Sequence, residues 1–146
     1  SADAQEMFFC RDGDIYESTL RNNIWGKPVK LPAPINSEFN ETHAVRSYNG
    51  NNIYFSSNRS GGFGGYDIYK ATKNTDNNWI VKNAGVEINT PFYENSPIIM
   101  PDNKTLFFAS EGHENMGGYD IFKINISEKK KQTLSNFGTQ LMTRDV

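Results

Sequence analysis

The segments YFSSNRSGGFGGYDIYK (Tyr54–Lys70) and FFASEGHENMGGYDIFK (Phe107–Lys123) decide the fold, because they are two copies of one unit. Residues 48–70 set against 101–123, an offset of 53, match at eight of 23 positions: Phe55/Phe108, Ser57/Ser110, Gly64/Gly117, Gly65/Gly118, Tyr66/Tyr119, Asp67/Asp120, Ile68/Ile121 and Lys70/Lys123. Ile53/Leu106, Tyr54/Phe107 and Tyr69/Phe122 are close exchanges. Upstream, the same offset pairs Asn36 with Asn89, Phe39 with Phe92 and Glu41 with Glu94. An earlier copy shows in Asp14-Ile15-Tyr16, 53 residues before Asp67-Ile68-Tyr69. Its run Met7-Phe8-Phe9 precedes Ile53-Tyr54-Phe55 by only 46, so the connection after it is seven residues shorter. A fixed period of this length is the signature of a repeat architecture.

Each unit reads as four short strands. In the second copy these are Thr42–Ser47, Asn52–Ser57, Tyr66–Ala71 and Trp79–Asn83; in the third, Asn95–Met100, Thr105–Ser110, Tyr119–Ile124 and 132–135. Asn49-Gly50-Asn51 and Pro101-Asp102-Asn103 suit tight hairpins, and the glycine clusters suit longer loops. Leu106-Phe107-Phe108-Ala109 is apolar without alternation, as a strand covered on both faces must be. Four antiparallel strands recurring every 53 residues describe β-propeller blades. A β-sandwich would not repeat in sequence this closely, and parallel β-helix coils are much shorter. The expected fold is all-β, with about three blades of a propeller of roughly six to eight. Residues 1–35 form an incomplete blade lacking its inner strand, 36–88 a second blade and 89–146 a third. Such a set cannot close a ring, so the rest of the propeller must come from more chain or from further copies of it.

Composition agrees. Ten Phe, seven Tyr and two Trp in 146 residues can fill a core, while turn formers are abundant. A net charge of −2 gives no reason to expect a nucleic acid or an anionic membrane as partner. No stretch approaches 18 apolar residues, so no membrane-spanning helix is expected. The single cysteine, Cys10, lies in the apolar run Met7-Phe8-Phe9-Cys10 and reads as a buried structural thiol.

The two quoted segments resemble the propeller repeat shared with the translocation protein TolB, known as the PD40 or WD40-like repeat. Pro101-Asp102-Asn103-Lys104 is similar to the Pro-Asp-Gly-Lys turn that names it. The glycine-rich approach to GGYDIY and GGYDIF resembles the version in Bacteroidota envelope proteins of the OmpA family. That resemblance implies a non-catalytic scaffold, periplasmic or associated with the outer membrane, that binds envelope proteins or a glycan or peptidoglycan-associated complex. The first copy departs from the pattern, with Arg11-Asp12-Gly13 in place of the long glycine loop. The third has no Trp to match Trp25 and Trp79. A second reading, a propeller gating a prolyl-oligopeptidase-like hydrolase domain outside this chain, would be recognised by a GxSxG-bearing neighbour.

No residue pattern here points to catalysis, a cofactor or a metal. Asp14, Asp67 and Asp120 recur once per repeat, as a structural need does, and an Asp before a strand can accept turn amides. Tyr66 and Tyr119 read as packing between blades, and Gly65 and Gly118 as positions needing φ > 0. Glu111, His113 and Glu114 form the one local cluster of metal-ligating types, at a spacing that fits no zinc signature.

The long connections, Asn58–Gly65 and Glu111–Gly118 with Leu31–Glu41 and Gly85–Glu94, all emerge on one face of a meander blade. Loops held by a rigid scaffold are where recognition concentrates. The binding candidates there are Arg59, Phe63, Glu111, His113 and Met116, with Phe39 and Phe92 beside them. Arg59 either reaches a partner or pairs with a nearby carboxylate. Phe63 either meets a partner or folds back on the blade edge. His113 aligns with Ser60 and is expected to face water.

Overall fold

A computed structural model describes residues 5–114, 117–127 and 134–136. It is all-β, with no helix among the described residues and three antiparallel sheets of four strands, none closed on itself. Sheet I contains β1 (Glu6–Arg11), β2 (Asp14–Arg21), β3 (Ile24–Trp25) and β4 (Val29–Lys30). Sheet II contains β5 (Glu41–Arg46), β6 (Asn52–Ser57), β7 (Asp67–Lys73) and β8 (Trp79–Asn83). Sheet III contains β9 (Glu94–Ile99), β10 (Thr105–Ser110), β11 (Asp120–Asn125) and β12 (Ser135–Asn136). Sheets II and III are meanders whose strands pair in chain order. In sheet I, β3 and β4 both pair with β2, at Leu20–Arg21 and at Tyr16–Glu17. They are one outer strand broken at Gly26-Lys27-Pro28, where Pro28 has no N–H to give the ladder. Four strands thus fill three positions, matching β6, β7 and β8.

Strand limits follow the repeat to within one or two residues. The expected strands at 42 and 95 begin one residue earlier, at Glu41 and Glu94, and those at 66 and 119 one later, at Asp67 and Asp120. The fourth strand of the third copy was expected over 132–135; 132 and 133 lie outside the described residues, and β12 runs from Ser135.

The sheets stack, and the register shows how. Phe55 pairs with Tyr69 and Ile53 with Ala71 on one face of sheet II, called its front. This face packs against Ile15 and Phe8 of sheet I, with Leu31 and Ile35 between. The back face carries Tyr54 and Ile68, which pack against the front of sheet III: Leu106, Phe108, Phe122 and Ile124. Strand β6 is therefore buried on both sides, as its unalternating apolar sequence requires. Each of these fully buried Phe and Ile side chains contributes about 1.5–3 kcal/mol. A ring pair recurs on every front face: Phe9–Tyr16 at 5.8 Å, Phe55–Tyr69 at 6.0 Å and Phe108–Phe122 at 5.9 Å between centroids.

Polar groups recur with the same period. Asn36 accepts from Ile15 N and donates to the Ile15 and Leu31 carbonyls. Asn89 does the same to Ile68, and donates to Asn83 Oδ1. The buried Glu41 carboxylate accepts from Ser37 N, Ser37 Oγ and Ser57 Oγ, and Glu94 from Thr90 N, Thr90 Oγ1 and Ser110 Oγ. The three aspartates meet the residue sixteen places on: Asp14 with Lys30 at 2.6 Å, Asp67 with Asn83 at 2.8 Å, Asp120 with Asn136 at 3.1 Å. Asp67 also accepts the turn amides of Phe63 and Gly64.

Candidate functional site

The long connections do lie together where successive sheets meet. Gly65 N donates to Phe92 O, Glu94 N to Tyr66 O and Glu111 N to Tyr93 O, sewing the loops of sheets II and III into one surface. The short hairpins meet separately, through Asn49 N and Asn103 Oδ1.

Tyr66, Phe92, Tyr93 and Tyr119 are brought together at the II–III junction, with Asn95 and Glu111 beside them. Tyr66 and Tyr93 form a parallel bridge, and their rings lie 6.3 Å apart, tilted by 32°. Tyr93, Phe92 and Tyr119 are all exposed, as is Phe63 in the adjoining loop. Asn95 Nδ2 donates to the Tyr119 hydroxyl at 2.9 Å. Partial burial raises the Tyr119 hydroxyl pKa, the Asn95 amide opposes this, and the nearby Glu111 charge adds to the rise. Gly65 makes room for the cluster: a Cβ there would lie 2.6 Å from Tyr93 Cε1. Its expected role as a φ > 0 residue is thus replaced by close approach, whereas Gly118 does have φ +72°.

The same backbone at the I–II junction carries only part of this cluster. Glu41 N donates to Gly13 O there, as Glu94 N does to Tyr66 O, both at 2.7 Å. Tyr66 is thus matched by Gly13 and Tyr93 by Asn40, whose amide N bonds Asn58. Phe92 and Tyr119 recur there as Phe39 and Tyr66, so what the repeat does not require is the stacked pair of Tyr66 and Tyr93. Tyr93 and Asn95 were missed by reading the sequence for identities; comparing the copies for differences would have found them.

Arg59 takes the structural course. Its guanidinium pairs with Glu41 at 3.1 Å, donates to the Pro34 and Ile35 carbonyls and to Ser57 Oγ, and lies 5.1 Å and 4.9 Å from the Phe55 and Tyr69 ring centres. His113 does not simply face water as its alignment with Ser60 suggested. Its Nε2 sits 2.8 Å from Ile88 O, the counterpart of Ile35 O, and a carbonyl only accepts, so Nε2 carries the proton. Its ring lies 5.9 Å from Phe108 and 5.1 Å from Phe122, the pair that answers Phe55 and Tyr69. His113 fills in the third copy the place of Arg59 in the second, from one position further along. Met116 lies outside the described residues.

Cys10 is exposed, not buried as expected. Desolvation still raises its thiol pKa, offset in part by a backbone hydrogen bond from His43, which is the opposite of what a nucleophilic thiolate needs. No group of three or more His, Cys, Asp or Glu residues among the described residues could hold a metal. Among the described residues no helix is long and apolar enough to cross a membrane. No protein-family model and no curated protein matches the chain.

Proposed function

We propose that the three sheets are consecutive blades of a β-propeller serving as a non-catalytic binding scaffold of a bacterial cell-envelope protein. A protein or glycan partner docks on the long-loop face around Phe92, Tyr93 and Tyr119. The stacking of each front face on the preceding back face, with one period, supports the blade reading. The envelope setting, periplasmic or at the outer membrane, rests on the resemblance of the GGYDIY repeats alone. The observation that carries the binding site is the exposed aromatic cluster at the II–III junction, completed there by the Tyr66–Tyr93 pair where the I–II junction has Gly13 and Asn40. Tyrosines offer large contact area with a polar tip and are enriched at binding hot spots.

A photoreactive residue placed at 92 or 119 should cross-link a protein partner, or retain the chain on purified peptidoglycan sacculi, while one at 51 or 104 does neither. Tyr119→Ala should weaken that binding by about thirtyfold, the effect of losing roughly 2 kcal/mol, with little change in thermal midpoint. Cross-links confined to positions 51 and 104 would place the partner on the short-turn face and overturn the reading.

A further inference from the structure

Sheet II has another sheet packed on each face, yet its outer edge keeps an open cavity. The cavity, of about 320 Å³, is lined by Lys70, Thr72 and Lys73 of β7 with Ile80 and Lys82 of β8. It lies toward the short hairpin of residues 74–78, away from the long loop that enters β7 at Asp67. Three lysines share it, and none of them has an ion pair among the described residues.

Lys70 and Lys82 stand directly opposite each other in the ladder. Like charges at opposed positions destabilise a sheet. The repeat does not ask for them, because the same pair is Glu17 with Val29 in sheet I and Lys123 with Ser135 in sheet III. Lys73 is likewise matched by Leu20 and Ile126. The edge of sheet II thus gathers positive charge that neither of its copies has. Two of the lysines are also held in place: Lys70 Nζ lies 5.8 Å from the centre of the Tyr54 ring, and Lys73 Nζ 5.2 Å from that of Trp79. The Thr72 hydroxyl donates to Asn52 Oδ1 at 2.8 Å, so the side-chain donors left to a ligand are the ammonium groups. Ile80, half-exposed, supplies an apolar wall.

We infer that this cavity binds a phosphomonoester carried on a small organic molecule. Lysines act as separate point charges, which suits a tetrahedral dianion whose three terminal oxygens point in different directions. A flat carboxylate is better matched by the fork of an arginine. The volume falls at the lower end of small-molecule sites and exceeds what a bare phosphate fills, and Ile80 offers the organic part a surface. A bound dianion also offsets the repulsion between Lys70 and Lys82. The site is separate from the loop face and does not depend on a partner docking there.

Titration of the full chain with glucose 6-phosphate at fixed ionic strength, followed through the backbone amide NMR signals of Thr72 and Ile80, tests the assignment. Those signals should shift and saturate, glucose should leave them in place, and inorganic phosphate should bind more weakly. Lys82→Val brings in the residue type that sheet I has at this place. It should weaken glucose 6-phosphate binding about tenfold, as the loss of one charge-assisted hydrogen bond does, while the thermal midpoint holds or rises. Lys82→Glu sets a carboxylate against Lys70 and should abolish binding. Lys82 is exposed, so neither change empties the core. Glucose 6-phosphate binding no tighter than that of inorganic phosphate would reduce the cavity to a general anion surface and overturn the proposal. Unchanged affinity in Lys82→Val overturns it as well. So does a midpoint that falls together with the affinity, because Lys82 would then serve the fold.

Discussion

At the junction of sheets I and II, Arg46 on β5 binds Glu6 through both carboxylate oxygens at 2.8 Å, reaches Glu17 at 3.1 Å, and lies over the rings of Phe8 and Trp79. At the junction of sheets II and III the counterpart of Arg46 is Ile99, fully buried among Tyr54, Leu106 and Ile124. Glu6 is answered by Asn52 and Glu17 by Lys70, whose ammonium sits 5.8 Å from the Tyr54 ring centre. One junction is thus stapled by a charge cluster and the other by aliphatic packing, on backbones that share two hydrogen bonds, Glu41 N to Gly13 O with Glu94 N to Tyr66 O, and Asn58 N to Asn40 O with Glu111 N to Tyr93 O. The groups present at both, Asn36 with Asn89 and Glu41 with Glu94, tie one sheet to the next strand. Those are what the stack needs. What differs between the junctions is free to serve another end, and the tyrosines at II–III are the largest such difference.

The shared carboxylates differ in one respect that predicts the largest effect. Glu41 has Arg59 against it, whereas position 112, which corresponds to Arg59, is Gly, and Glu94 accepts from the neutral groups Thr90 N, Thr90 Oγ1 and Ser110 Oγ. Glu41→Gln strands a mostly buried guanidinium and should cost about 3–5 kcal/mol. Glu94→Gln loses acceptor strength toward Thr90 and Ser110 only and should cost about 1–3 kcal/mol. Urea denaturation of both variants measures the gap. Equal losses would mean that the ion pair adds nothing and that the two junctions are held alike.

Much of the architecture was legible because a repeat declares its own register. The 46-residue offset of Met7-Phe8-Phe9 and the 53-residue offset of Asp14-Ile15-Tyr16 align Phe9 with Phe55 and Tyr16 with Tyr69, and in the structure Phe9 pairs with Tyr16 as Phe55 does with Tyr69. The site was less legible, since identity between copies points to structural residues and hides positions where the copies part. Arg59 and His113 share no aligned position, yet both cap a ring pair and bond the equivalent carbonyl. Only the path of the loop in space shows that equivalence. Cys10 read as buried because its neighbours are apolar; it pairs with the buried Ile15 on the face of β1 that meets sheet II, yet it lies at the end of that strand and is exposed.

The two glycines give a smaller, sharper comparison. Gly118 has φ +72° and open space around its Cβ position, so its constraint is torsional. Gly65 carries no such torsion and is constrained by the Tyr93 ring. Valine at either position should cost about 1–3 kcal/mol, by backbone strain at 118 and by overpacking at 65. Asparagine separates the causes, because it tolerates the left-handed region but still carries a Cβ. Gly118→Asn should recover most of the thermal midpoint lost in Gly118→Val, while Gly65→Asn should recover little and should also disturb the tyrosine fluorescence. Recovery at both positions would show that Tyr93 does not hold Gly65 in place.

The smallest effect concerns the charge cluster at the I–II junction. Arg46 serves two carboxylates, and Glu17 is the weaker-bound one. Desolvation raises the Glu17 pKa above its ordinary 4.5, and Glu6 adds to this by hydrogen bonding and charge, while Arg46 opposes it. A carboxyl whose folded pKa lies above its unfolded value binds protons more tightly in the folded state. Stability from this group is therefore greatest in acid and declines as pH rises through 4.5 toward the folded value. Glu17→Gln removes the penalty while leaving the paired bonds of Glu6 to Arg46. At pH 7 the variant should melt slightly higher than the parent chain, by about 2 °C. The advantage should shrink as the pH is lowered toward 4.5. Lys70 occupies the equivalent place at the II–III junction, so Lys70→Gln should show no such pH dependence over the same range. If Glu17→Gln instead melts lower at pH 7, and the deficit grows with pH, then Arg46 binds both carboxylates with net gain, and the I–II junction is held by its charges as firmly as the II–III junction is by Ile99.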